Sequence, residues 1–202
     1  GGMLRCLLRM GHVQSAINFA VGLRARNSRR FDAVSQYAIE ASWRLGRWDF
    51  LEAYVQHAER CALDGKTPSP EFLLSKSRQQ LATWEVHVGH IVSSLHERNV
   101  TQLEEHVIRA RQELLDPLSA ASMESYSRAY PTLVRLHILR DLETASLIAS
   151  EDPSKPSQAL LKTTEDWGRR LHLTQSALAV REPILALHRA VHTIAGMDAH
   201  AA

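Results

Sequence analysis

The sequence predicts an all-α protein, an α-solenoid of tetratricopeptide-like or HEAT-like helical hairpins. Three observations lead there. Apolar residues recur at three- and four-residue spacing along most of the 202-residue chain, the signature of one buried stripe per helix. No segment alternates apolar and polar residues in the manner of a half-buried strand. Finally, "LLRMGHVQSAI" (7–17) and "SWRLGRWDFLEA" (42–53) each break a helical stripe at a glycine, and the two glycines stand 35 positions apart. That interval is close to the roughly 34-residue period of tetratricopeptide repeats, in which each hairpin builds its core by stacking on the next.

Leu4, Leu7 and Leu8 form a short first stripe ending at Gly11. Val13, Ala16, Ile17, Ala20 and Val21 form the second, and Val34, Tyr37, Ala38, Ala41 and Leu45 the third, ending at Gly46. Glycine costs a helix about 1 kcal/mol but takes backbone angles closed to other residues, so Gly11 and Gly46 are read as turns. Gly11 has Ala16 five residues on, whereas Gly46 has Leu51 there, which makes the second repeat degenerate. Trp43 and Trp48 flank the second turn and are read as packing residues that fill the gap between stacked hairpins. Asp49 with Glu52 is a D-x-x-E capping signal, so the next helix is expected to start at about Asp49 and to bury Leu51, Tyr54, Val55 and Ala58.

The polar stretch 64–80 reads as a long loop or insertion, with a short helix after Ser69-Pro70. Trp84, Val88, Ile91, Val92 and Leu95 follow on one face, and "HERNVTQLEEHV" (96–107) is a third turn, delayed by the insertion. Thr101 with Glu104 forms a T-x-x-E capping box for the helix that carries Leu103, Val107 and Leu114. The segment from Pro131 to Ile148 supplies Val134, Ile138, Leu142 and Ala145, and 150–157 is a second polar loop. Pro183 after Glu182 suits a helix start, with Leu187, Val191 and Ile194 behind it. Gly1-Gly2 reads as a cloning remnant, residues 3–195 as one helical-repeat segment and 196–202 as a tail, so the sequence reads as a fragment. Leu4, Leu7 and Leu8 at one end and Ile184, Leu187, Val191 and Ile194 at the other have no evident covering helix. They are expected to stay partly exposed and to favour weak self-association.

The composition, 45% hydrophobic and 23% charged, is that of an ordinary folded protein. A net charge of +2 is too small for a nucleic-acid footprint, so no direct nucleic-acid contact is expected. Cys6 and Cys61 form no framework and no CxxC pair, which points to a reducing compartment. No apolar run approaches a membrane span, and the start of the sequence has no signal-peptide pattern.

Three stretches together carry a family resemblance: "YAIEASWRLGRWDFLEAYV" (37–55), "DPLSAASMESYSRAYPTLVRLHILRDLE" (116–143) and "REPILALHRAV" (181–191). They resemble the N-terminal part of the FAT domain in the ATR checkpoint kinases, a group within the phosphatidylinositol-3-kinase-related protein kinases. The likeness covers essentially all of 3–195. It implies a non-catalytic scaffold that supports the kinase domain and offers assembly surfaces to the rest of the parent kinase. By the same resemblance the parent is a nuclear serine/threonine kinase of the DNA damage and replication-stress checkpoint. It uses ATP and Mg, works with the ATR-interacting protein subunit and activator proteins, and can form a homodimer. The kinase motifs lie far downstream in that family, so no catalytic residue, cofactor site or metal site is assigned in this segment. The alternative is a free-standing tetratricopeptide-type adaptor, which needs an Asn- and Lys-lined groove that the sequence does not display.

Other motifs are weaker. His188 and His192 have the i, i+4 spacing of a metal pair, but Arg189 replaces the glutamate a metalloprotease motif needs, and partly exposed surface histidines are the plainer reading. His87 and His90 are read the same way. Cys6 has no base partner in sequence. The basic run 24–30 reads as a solvated loop between hairpins. Ser35, Thr101, Ser157 and Thr174 each precede a glutamine, the Ser/Thr-Gln preference that the resemblance implies for the kinase. Of these, Ser157 is the one expected to be accessible to phosphorylation.

Overall fold

The computed structural model describes residues 2–26, 31–32, 34–63, 76–150 and 158–197. Among these residues the secondary structure is entirely helical. The elements are α1 (Gly2–Arg9), α2 (Val13–Arg26), α3 (Ser35–Arg44), α4 (Trp48–Leu63), α5 (Lys76–His96), α6 (Val100–Glu124), α7 (Tyr126–Ala149), α8 (Gln158–Leu173) and α9 (Leu178–Met197). The chain divides into two compact units, Gly1–Ser93 and Ser94–Ala202, with the boundary inside α5.

Three of the turns follow one design. After α3, Leu45 stays in the helical region and Gly46 swings to φ +65°. The Arg47 N–H then reaches back to the Ser42 carbonyl at 2.9 Å, and the Gly46 N–H to Trp43 at 3.3 Å. This is a Schellman closure, which satisfies carbonyls that the helix end would otherwise leave bare. The same pair of bonds recurs at Gly11 (φ +76°), from His12 to Leu7 and from Gly11 to Leu8. It recurs again at Arg98 (φ +56°), where Asn99 reaches Ser94 at 2.9 Å and Arg98 reaches Leu95 at 3.1 Å. The third turn therefore lies where "HERNV" suggests, with an arginine in the left-handed position. The indole of Trp48 lies 3.9 Å from where a β-carbon on Gly46 would stand, so it covers that turn, while Trp43 is buried.

Helix boundaries depart from the sequence reading in five places. Asn99, not Thr101, caps α6: its side-chain oxygen accepts the Gln102 N–H at 3.1 Å, and Thr101 is an exposed residue of the first turn. The reason is that Arg98 already makes the left-handed turn, so the helix restarts one residue later and its cap falls at position 99. Asp49 is likewise inside α4, which begins at Trp48 with the Leu51 N–H bonded to the Arg47 carbonyl. Its carboxylate accepts hydrogen bonds from the Arg47 side chain at 3.4 Å, and this partner holds the Asp49 pKa below the ordinary value. Pro131 and Pro183 do not start helices; each is the sixth residue of one. Ser125 starts α7 instead, its hydroxyl accepting the Arg128 N–H at 3.3 Å while its own N–H closes α6 on the Ala121 carbonyl. Finally, residues 76–80 belong to α5 and are not loop; residues 64–75 and 151–157 lie outside the described set.

In the first unit, α2 packs on α3 and α3 on α4, with α1 against α2 and α3. The core is Leu4, Leu8, Ala16, Ile17, Ala20, Phe31, Ile39, Leu51, Tyr54 and Ile91. In the second unit, α6 and α7 form the largest contact, and α8 and α9 pack on α7. Leu103, Leu139, Leu142, Trp167, Leu187 and Val191 are buried there. The expectation of bare end helices is corrected for six of its seven residues: Leu4 and Leu8 are 1% and 3% exposed, and Ile184, Leu187, Val191 and Ile194 all lie at 5% or less, while Leu7 is partly exposed as expected. Each end helix turns its stripe onto helices of its own unit.

Gly89 shows how closely α5 approaches its neighbours. A β-carbon there would stand 2.9 Å from Val55 Cγ2 and 3.1 Å from Ile39 Cγ2. Both are branch carbons of stiff side chains that cannot rotate away cheaply. Gly22, inside α2, meets nothing within 4 Å. Gly89→Ala is therefore expected to lower stability by about 1–3 kcal/mol through overpacking. Gly22→Ala is expected to raise it by up to about 1 kcal/mol through helix propensity. Chemical denaturation of the two variants checks the opposite signs.

Candidate functional site

Two polar clusters join different elements, one in each unit. In the second unit the centre is Asp141 of α7, whose side chain is 4% exposed. Helix periodicity places it on the same face as Ile138, Leu142 and Ala145, so a carboxylate enters an apolar seam. Arg170 of α8 reaches one oxygen at 2.6 Å and His188 of α9 reaches the other at 2.7 Å. Trp167 then stacks on the His188 ring at 4.2 Å and presents its edge to His192 at 5.8 Å. Its indole N–H donates to Thr144 Oγ1 at 3.0 Å. One residue of α7 therefore ties down both α8 and α9.

This placement corrects the reading of His188 as a partly exposed surface histidine. It is 9% exposed and its Nε2 faces a carboxylate. His192 is half-buried beside it, and its pKa falls below the ordinary imidazole value, first because burial disfavours the charged ring and second because His188 is near. A further link between α6 and α7 runs from Arg111 to Glu143 at 3.1 Å, with Arg140 on the same carboxylate oxygen at 2.7 Å. Burial alone would raise the Glu143 pKa, but the hydrogen bonds from Arg140 and Arg111 and their charges outweigh it, and the pKa is lowered.

The first unit holds a cluster that sequence reasoning missed. His57 and Cys61, i and i+4 on α4, converge with Asp32. The His57 Nε2 lies 2.7 Å from Asp32 Oδ1, and Cys61 Sγ lies 3.6 Å from each of those atoms. Phe31, fully buried, holds the imidazole by an edge contact at 5.1 Å. Among the described residues this is the one group of three or more histidine, cysteine or acidic side chains with donor atoms close enough to share a metal ion. The H-x-x-x-C spacing on one helix was the available signal; the third member comes from another element and cannot be read from spacing.

Other expected sites disperse. Cys6 is exposed. His90 pairs with Glu59 of α4 at 2.8 Å, and His87 is buried. Arg24 and Arg26 belong to α2 and not to a loop, and the Arg24 guanidinium lies over Tyr54 at 5.4 Å; residues 27–30 lie outside the described set. Of the Ser/Thr-Gln positions, Ser35 and Thr174 are buried and Thr101 is exposed. Ser157 lies outside the described residues.

The second-unit cluster makes two predictions. Asp141→Ala leaves the Arg170 guanidinium without its counter-charge and His188 without its carboxylate partner, and is expected to cost about 3–5 kcal/mol in denaturant unfolding. His192 predicts a pH dependence. A histidine with a lowered folded pKa binds fewer protons folded than unfolded, so its stability contribution is present above about pH 6.5 and is lost as pH falls toward the folded value. Replacing His192 with Gln should flatten the melting-temperature profile in that window. It should leave the separate acid loss that Glu143 produces below about pH 4.5.

With this geometry in place, comparison with known proteins gives a consistent result. The FAT domain family matches residues 35–199. The serine/threonine-protein kinase ATR of Oryza sativa subsp. indica is 34% identical over 205 residues, covering 98% of this chain. The ATR kinase of Arabidopsis thaliana is 33% identical over 203 residues, again 98% of the chain. The TOR2 kinase of Saccharomyces cerevisiae is more distant, 28% identical over 159 residues, or 79% of the chain and 6% of that kinase. The chain spans about 7% of the length of the ATR relatives. No solved structure matches it. The chain belongs to the FAT domain family, in the FAT region of the phosphatidylinositol-3-kinase-related kinases.

Proposed function

We propose that this chain is the helical scaffold segment of an ATR-type serine/threonine kinase in the DNA damage and replication-stress checkpoint. The observation that carries the reading is the gap between relatives: 33–34% identity to the ATR kinases over 98% of the chain, against 25–28% to TOR kinases. On this reading the segment performs no chemistry. It supports the kinase domain elsewhere in the parent protein, where ATP and Mg are bound, and its helices present surfaces to the ATR-interacting protein subunit, to activators and to a second copy in a homodimer. The parent acts in the nucleus.

A segment exchange tests the assignment. This chain replaces the matching region of full-length Arabidopsis thaliana ATR, and separately that of TOR from the same plant. The ATR exchange is expected to retain stress-induced phosphorylation at Ser-Gln sites, and the TOR exchange to lose TOR activity. Function in the TOR background with loss in the ATR background would overturn the checkpoint assignment while leaving the family intact.

A further inference from the structure

The Asp32, His57 and Cys61 cluster has the arrangement of a metal ligand set. In a catalytic relay, the cysteine and the carboxylate occupy opposite nitrogens of the imidazole, so that a proton passes through the ring. Here both approach the same nitrogen, His57 Nε2, at 3.6 and 2.7 Å. Three donors gathered around one point are the geometry of coordination and not of a relay.

The dimensions agree with zinc. Tetrahedral bonds of about 2.3 Å to sulfur and about 2.0 Å to nitrogen and oxygen place sulfur about 3.5 Å from each of the other donors, and nitrogen about 3.3 Å from oxygen. The observed S···N and S···O separations are both 3.6 Å. The N···O separation is 2.7 Å, so occupancy needs the Asp32 oxygen to retreat by about 0.6 Å. Asp32 can do that, because its side chain is 39% exposed. The other two donors are anchored: His57 and Cys61 project from adjacent turns of α4, and the buried Phe31 fixes the imidazole plane. A mixed sulfur, nitrogen and oxygen set selects a borderline metal such as zinc over magnesium or calcium, which want oxygen alone.

We propose that Asp32, His57 and Cys61 form a zinc(II) site, with water as the fourth ligand. On binding, the Cys61 thiol gives its proton to solvent as the S–Zn bond forms, the proton between His57 Nε2 and Asp32 leaves so that the neutral imidazole carries its proton on Nδ1, and no electron is transferred. The ion links Asp32 to helix α4 across 25 and 29 positions of sequence. Such a clamp stabilises the folded chain in proportion to zinc occupancy. The proposal is independent of the checkpoint assignment.

Zinc(II) titration against a chromophoric chelator tests it, with cobalt(II) as the spectroscopic probe. A Cys6→Ser background removes the exposed second thiol. The expected result is one zinc per chain, a thiolate-to-cobalt charge-transfer band in the Cys6→Ser chain, and loss of that band in Cys61→Ser with an affinity drop of about 100-fold or more. Circular dichroism establishes that Cys61→Ser keeps its helices. If it does not, Asp32→Asn, at an exposed position, decides by weakening zinc at least about 10-fold. No zinc bound by the Cys6→Ser chain, zinc held equally by Cys61→Ser with its helices intact, or an unchanged affinity in Asp32→Asn would overturn the site.

Discussion

Three of the described helix ends close on a residue at positive φ, whereas α6 passes into α7 through Ser125 alone, in extended backbone at φ −168°. Gly11, Gly46 and Arg98 occupy the left-handed region, and each is followed by an amide that reaches back 2.9 Å to the carbonyl five residues earlier. The closure satisfies helix-end carbonyls without side-chain help, and after Gly11 and Gly46 the next helix packs against the last. Packing follows from that geometry. Within each unit the i, i+3, i+4 stripes of contacting helices face each other, and the apolar residues they bring together supply most of the stabilisation, about 1.5–3 kcal/mol for each large side chain fully buried.

Polar groups then add connections that the apolar stripes do not specify. In the second unit Asp141 joins α7 to both α8 and α9. A buried carboxylate held by an arginine and a histidine is a poor way to gain stability, since dehydration cancels much of the attraction. It is an effective way to penalise a wrong packing register, because any slip strands a charge. The first unit has the opposite economy of contact at Gly89, where absence of a side chain lets α5 approach Val55 and Ile39. There register is enforced by steric exclusion.

The fold was legible because burial repeats with helical period: Val13, Ala16, Ile17 and Ala20 are buried, as are Trp84, Val88, Ile91, Val92 and Leu95. Helix starts were less legible. Thr101 has the residue type and spacing of a cap, yet the cap is Asn99, because the backbone angle at Arg98 decides where the helix restarts. Pro183 resembles a helix start, but Val180 and Arg181 already bond back to Ala177, and burial of Ile184 and Leu187 offsets the one N–H that proline lacks. The candidate sites were least legible. His188 was visible as half of an i, i+4 pair, whereas its partner Asp141 lies 47 positions away. Asp32 lies 25 positions from His57. Spacing along one helix reveals which residues share a face, but not what the neighbouring helix brings to that face.

Native-state hydrogen exchange at three amides tests the hairpin account most directly. His12, Arg47 and Asn99 donate the bonds that close the three turns. If those closures set the helix reversals, these amides exchange far more slowly than an unstructured chain, with protection approaching that of adjoining helix interiors. Exchange of all three at the unprotected rate, while the helices stay protected, would contradict it.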